Sequence, residues 1–142
     1  MRIENFIHCK NLKESFDFYK SMMPPYLNVD IHDQWMVVNF FFLTYLVIIE
    51  KPSSPVEMRF YDVSIKKLWK HLEKKLPNDE GLTDGIKPGH RRGIYDHPGG
   101  CWVGFADTSG NEFYFEQPLV ANDSLASELP EFDAKKIILT EW

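Results

Sequence analysis

Two stretches decide the fold: Ile3-Glu4-Asn5-Phe6-Ile7-His8-Cys9 and, 54 positions later, Glu57-Met58-Arg59-Phe60-Tyr61-Asp62-Val63, with Phe6 over Phe60. In the same way Val47-Ile48-Ile49-Glu50-Lys51-Pro52 sits over Phe113-Tyr114-Phe115-Glu116-Gln117-Pro118, 66 positions later. The 12-residue difference falls in a longer loop of the second half. Matching beginnings and endings in the same order mark a duplicated unit.

Each half fills in alike. After a strand at 2–9, Asn11 reads as an N-cap with Glu14 three residues on, and Leu12, Phe16, Tyr19 and Met23 form one helical stripe that Pro24-Pro25 ends. Extended segments follow at 26–32, 35–43 and 45–50, with turns at Asp33-Gln34 and Leu43-Thr44. Lys51-Pro52-Ser53-Ser54-Pro55 is a linker. Beyond it come a strand at 57–63, an N-cap at Ser64, and a second stripe of Ile65, Leu68, Trp69, Leu72 and Leu76 closed by Pro77. Lysines 66, 67, 70, 74 and 75 occupy that helix's other face, which reads as solvated surface. A polar stretch, 78–100, precedes strands at 101–107 and 111–117, joined through Asp107-Thr108-Ser109-Gly110. The expected fold is α+β: two tandem βαβββ modules forming a curled mixed sheet, a cup. Residues 1–120 make one domain, with modules at 1–52 and 56–118 and the linker at 51–55; residues 121–142 are a C-terminal extension.

Composition narrows the function classes. The chain of 142 residues has 16 Lys and Arg against 21 Asp and Glu, a net charge of −5 that argues against a basic nucleic-acid surface. Residues 121–142 hold 2 bases and 5 acids, so much of the excess lies in the extension, which reads as solvated unless Leu125, Leu129, Phe132 and Ile137–Leu139 dock it. No apolar run nears the roughly 18 residues of a membrane span, and the polar start makes the cytoplasm the expected compartment. Two cysteines, Cys9 and Cys101, are too few for a disulfide framework.

Asn11-Leu12-x-x-Ser15-x-x-Phe18-Tyr19 and Gly104-Phe105-x-Asp107-x-x-Gly110-Asn111-Glu112-x-x-x-x-Gln117-Pro118 resemble the vicinal oxygen chelate superfamily, which includes glyoxalase I, extradiol dioxygenases and bleomycin-resistance proteins. The resemblance implies paired modules whose sheets curl into a cup, commonly in a homodimer. Some members hold a divalent metal there and others bind a drug without one. It also implies where a metal would sit: Glu4, eight residues before Leu12; Tyr114, four after Gly110; Met58 on the second module's first strand; and, through the repeat, Ile48. One carboxylate, a phenol, a thioether and an alkyl group cannot hold a hard or borderline divalent ion, so no metal or other cofactor is expected. His8 shares a face with Glu4 but stands about 13 Å away along the strand, which makes it a polar lining residue and no co-ligand. His90, Asp96, His97 and Cys101 match no common zinc spacing and read as a mobile loop that brings Arg91 or Arg92 to an anionic ligand.

The favoured expectation is a metal-free binder of a small organic molecule, working as a homodimer without nucleic-acid or membrane partners. Its ligand-binding residues are Glu4, Phe6, His8, Ile48, Met58, Phe60, Tyr114, Arg91 and Arg92, with Phe6 and Phe60 facing the cup beside Tyr114. One alternative is an enzyme of isomerase, lyase or dioxygenase type using a metal, or Glu4 or His8 as base with Tyr114 as donor. The other is an interaction or oligomerisation module with its cup packed shut by aromatic rings.

Overall fold

The computed structural model describes residues 4–24, 27–79, 85–97, 100–118 and 137–139, with backbone alone at 94–97, 100–101, 118 and 137–139. Strand β1 (Glu4–Cys9) leads into helix α1 (Leu12–Met22), then β2 (Val29–Ile31), β3 (Trp35–Phe40) and β4 (Thr44–Glu50). The order recurs as β5 (Glu57–Phe60), α2 (Ile65–Lys75), β6 (Ile94–His97), β7 (Gly100–Ala106) and β8 (Glu112–Pro118). This is the α+β pair of βαβββ modules that the repeat predicts. Strand β6 lies in the stretch read as loop. In the extension, β9 (Ile137–Leu139) pairs in parallel with β6, so this part forms a sheet edge. Leu125, Leu129 and Phe132 lie outside the described residues.

Each module builds its own sheet, in the orders β1-β4-β3-β2 and β5-β8-β7-β6-β9. The module's first and last strands pair in parallel, and hairpins supply the antiparallel remainder. Asn11 caps α1 by accepting the Glu14 amide at 2.9 Å. Ser64 makes no such side-chain bond before α2. In both modules the last strand secures the helix start: Leu12 N–H donates to Glu50 Oε1 (3.0 Å), and Ile65 N–H donates to Gln117 Oε1 (2.8 Å).

Those two bonds make Leu12 equivalent to Ile65 and Glu50 to Gln117, one residue away from the sequence match in each strand. Glu4 therefore corresponds to Glu57, Phe6 to Arg59, Ile7 to Phe60 and, through strand pairing, Ile48 to Phe115. The cause is local. Asp62 sits in left-handed backbone (φ 59°), which breaks the alternation between β5 and buried Val63, so matching Cys9 with Val63 puts the preceding strand out of step.

The modules meet through their helix-bearing faces. Ile7, Phe40, Leu46 and Ile48 from the first sheet join Val103, Phe105, Phe113 and Phe115 from the second in one core. Phe40 is the bridge, with ring centroids 4.8 Å from Phe113 and 5.5 Å from Phe60. These are the larger apolar faces, so their burial against each other and the helices dominates the packing.

A buried polar knot fastens the same seam. Asp107 Oδ1 accepts the amides of Ser109 and Asn111, both at 2.9 Å, while Oδ2 accepts Tyr19 Oη–H (2.8 Å) and Asn111 Nδ2–H (3.0 Å). Asn111 also donates to the His8 carbonyl (2.8 Å) and accepts the Val56 amide (3.0 Å). Asp107, Asn111 and Gln117, conspicuous in the closing motif, thus hold the modules together and cap a helix.

Candidate functional site

Each sheet keeps one face clear of helices. On the first sheet, Glu4, Phe6 and His8 of β1 lie beside Tyr45, Val47 and Ile49 of β4, which lie beside Asn39, Val37 and Trp35 of β3. Twist curves this face into a concavity of about 840 Å³. Its floor is Phe6, Trp35, Val37, Tyr45, Val47 and Ile49. Phe6 is 62% exposed and Trp35 40%, and His32 stacks on Trp35 with centroids 3.9 Å apart. Charge enters through Glu4 and Asp30, and no lysine or arginine lines the concavity among the described residues. His8 is half-buried on the same face, outside the concavity lining.

The corresponding face of the second sheet is filled by its own side chains. Arg59 lies over the Tyr114 ring at 4.9 Å and pairs with Glu57 at 2.6 Å. Tyr114 Oη–H donates to Glu112 Oε1 (3.1 Å), which also accepts the Ile86 amide (2.6 Å). Trp102 meets the Tyr114 ring edge-on at 5.5 Å. A Cβ at Gly104 would fall 2.8 Å from Tyr114 Cδ1, so the ring needs glycine there. Burial, and then Glu112, hold the Tyr114 phenol well above the usual tyrosine range, so it stays protonated as a donor.

No family model matches the chain. No curated protein matches it either. Its backbone does match solved structures. The bleomycin resistance determinant encoded on transposon Tn5 aligns over 84% of this chain and 99% of its own, at 12% identity and TM-score 0.63. The bleomycin-binding protein from bleomycin-producing Streptomyces verticillus, complexed with copper(II)-bleomycin, aligns over 84% and 97% at 13% identity and TM-score 0.63. Lactoylglutathione lyase from Agrobacterium tumefaciens aligns over 82% and 92% at 12% identity and TM-score 0.58. The chain shares its fold with these three proteins.

The metal that the sequence resemblance implies is not matched by the residues at the positions expected to hold it. Ile48 points into the core opposite Ile7, and Met58 and Phe60 join the core beside Phe113 and Phe115. Glu4 and Tyr114 keep to open faces, but of different sheets. The quartet of Glu4, Ile48, Met58 and Tyr114 is therefore scattered over both faces of two sheets and does not fit a metal ion. Among the described residues, no three of histidine, cysteine, aspartate and glutamate converge to hold one.

Other expected residues also take different places. Arg91 is 6% exposed, stacked on Trp69 at 4.7 Å and bonded to Asn78, so it holds the loop against α2 and cannot reach the concavity. Arg92 pairs with Asp79 at 3.5 Å and donates to the Gly85 carbonyl. His90 Nδ1 lies 2.9 Å from the Pro88 carbonyl, and the side chains of Asp96, His97 and Cys101 lie outside the described residues. The sequence reading misses Trp35, Val37, Tyr45 and Val47. Strand β4 is apolar on both faces, so its alternation does not say which side is open; only pairing with Glu4 and Phe6 does.

Proposed function

We propose that the chain binds a small organic molecule on the concave face of the first sheet without a metal. Residues 1–120 serve as the binding domain, residues 121–142 as an extension, and the cytoplasm as the compartment. The observation that carries this is the roughly 840 Å³ concavity floored by Phe6, Trp35 and Tyr45, the size and character of a ligand site. Among its described lining residues, the charged side chains besides histidine are Glu4 and Asp30, which favours a planar molecule bearing a positive charge over an anion. Bleomycin-binding proteins of the same fold support the assignment. A homodimer is the proposed working form, with a second copy closing the concavity over the ligand and so shielding the exposed Phe6 ring.

The test uses metal-free bleomycin and smaller planar cations as probes, reading tryptophan fluorescence and sedimentation velocity. Saturable quenching is expected, weakened about ten-fold or more by Tyr45→Ala and by Glu4→Gln, in a protein that sediments as a dimer. Elemental analysis should find no stoichiometric metal. Absence of saturable binding across the panel removes the reading, and a bound metal lost on Glu4→Gln replaces it. Binding is favoured over the catalytic alternative because, within one chain, Glu4 belongs to the first sheet whereas the Tyr114 phenol is bonded to Glu112 on the second.

A further inference from the structure

A second hollow, about 570 Å³, lies where the β3–β4 turn reaches across to α2. Among the described residues it shares no lining with the concavity of the first sheet. Its walls are apolar below and basic above. Pro24, Leu27, Phe41, Phe42, Leu43 and Leu68 supply the apolar surface. Lys67, Lys70 and Lys74 follow one another along one face of α2 above it, with His71 between them and Asp62 as the one carboxylate of the lining. No ion pair engages these three lysines among the described residues. Like charges three and four residues apart on a helix repel, so this row of ammonium groups favours an anionic occupant of the hollow.

Backbone strain converges on the same place. Among the described residues, only Phe41 (φ 53°), Phe42 (φ 60°) and Asp62 (φ 59°) combine a side chain with left-handed backbone, and all three line this hollow. Phenylalanine is a poor choice for such a turn, where asparagine and glycine are favoured, yet Phe42 is held there 68% exposed. Strain of this kind persists where a site requires it.

We propose that this groove binds a free anionic amphiphile, its hydrocarbon chain lying along Phe41, Leu27 and Leu68 and its carboxylate meeting the ammonium groups of Lys67, Lys70 and Lys74. Chain and head group are both needed. The lysines select the sign of the charge, and the turn supplies the apolar bed. This site is independent of the first-sheet reading, and either can fail without the other.

Dodecanoate, kept below its micelle concentration, is the probe, titrated into the full chain by calorimetry and by amide chemical shifts. Saturable binding is expected, with shifts at residues 41–43, 62–64 and 67–74. Dodecyltrimethylammonium, with the same chain and the opposite head, should bind about ten-fold or more weakly, and the exposed-surface variant Lys67→Glu/Lys70→Glu/Lys74→Glu should reverse that preference. Absence of saturable dodecanoate binding overturns the proposal. So do shifts confined to residues 35–37 and 45–49, equal affinity for both heads, or sedimentation with phosphatidylglycerol vesicles in place of dodecanoate binding.

Discussion

The turns joining β3 to β4 and β7 to β8 occupy the same place in the two modules, and they are built from opposite materials. In the first, Leu43 N–H donates to the Phe40 carbonyl at 2.9 Å; in the second, Gly110 N–H donates to the Asp107 carbonyl at 3.1 Å. Phe40 and Asp107 are thus equivalent, and both are fully buried. Asp107 is fixed by four hydrogen bonds and its turn closes on Gly110 (φ 88°). Phe40 is fixed by rings, and the two phenylalanines after it take the left-handed conformations without a glycine. Fold geometry dictates a tight turn anchored by a buried side chain at this position. It does not dictate whether the anchor is polar or aromatic, and the aromatic version leaves apolar surface at the rim of the lysine-walled groove.

The largest expected effect is at the aromatic anchor. Phe40→Ala empties the meeting point of the two sheets and should cost about 3–5 kcal/mol in urea unfolding. Asp107→Ala should come next at about 3 kcal/mol, because Tyr19, Asn111 and two amides lose their acceptor in a dry interior. A loss below about 1 kcal/mol for Asp107→Ala would break the comparison, by showing that the knot adds little to packing. Phe42→Asn should act in the other direction and stabilise by about 1 kcal/mol, since asparagine tolerates positive φ where an exposed phenylalanine gains little. Its equivalent position in the second module, Ser109, has no such strain to release.

Most of the architecture was legible because it rests on local signals: Asn11 and Pro24 bounding α1, the stripe from Ile65 to Leu76, and Asp107–Gly110 as a turn. The misses share a cause. The run Phe40-Phe41-Phe42-Leu43 has no turn residue, so the bend at Phe41-Phe42 was placed at Leu43-Thr44. Glycines and a proline around Ile94–His97 hid β6. At the site, a single left-handed residue, Asp62, turned Met58 and Phe60 inward and Arg59 outward, and no pattern of apolar residues announces such a reversal. Phe6 and Glu4 were placed on the open face because β1, unlike β4, alternates cleanly.

The smallest expected effect sharpens the comparison through acid. Phe41 leans edge-on against His71 at 5.9 Å, and burial together with Lys75 lowers the His71 pKa. The unfolded chain then binds a proton that the folded chain resists, so His71 should make stability fall as pH drops below the ordinary histidine range of about 6.5. Burial outweighs the four donors at Asp107 and raises its carboxyl pKa. Here the folded chain holds its proton more tightly, so Asp107 should add stability as pH falls toward the ordinary aspartate range and lose it as pH rises. Urea midpoints between pH 7 and pH 4, compared with those of His71→Gln and Asp107→Asn, separate the two. The first substitution should flatten the acid loss near neutrality and the second should steepen it at lower pH. Changes of the same sign would mean that the polar turn holds a fully charged carboxylate, its donors prevailing over its burial, and that the two turns answer acid alike.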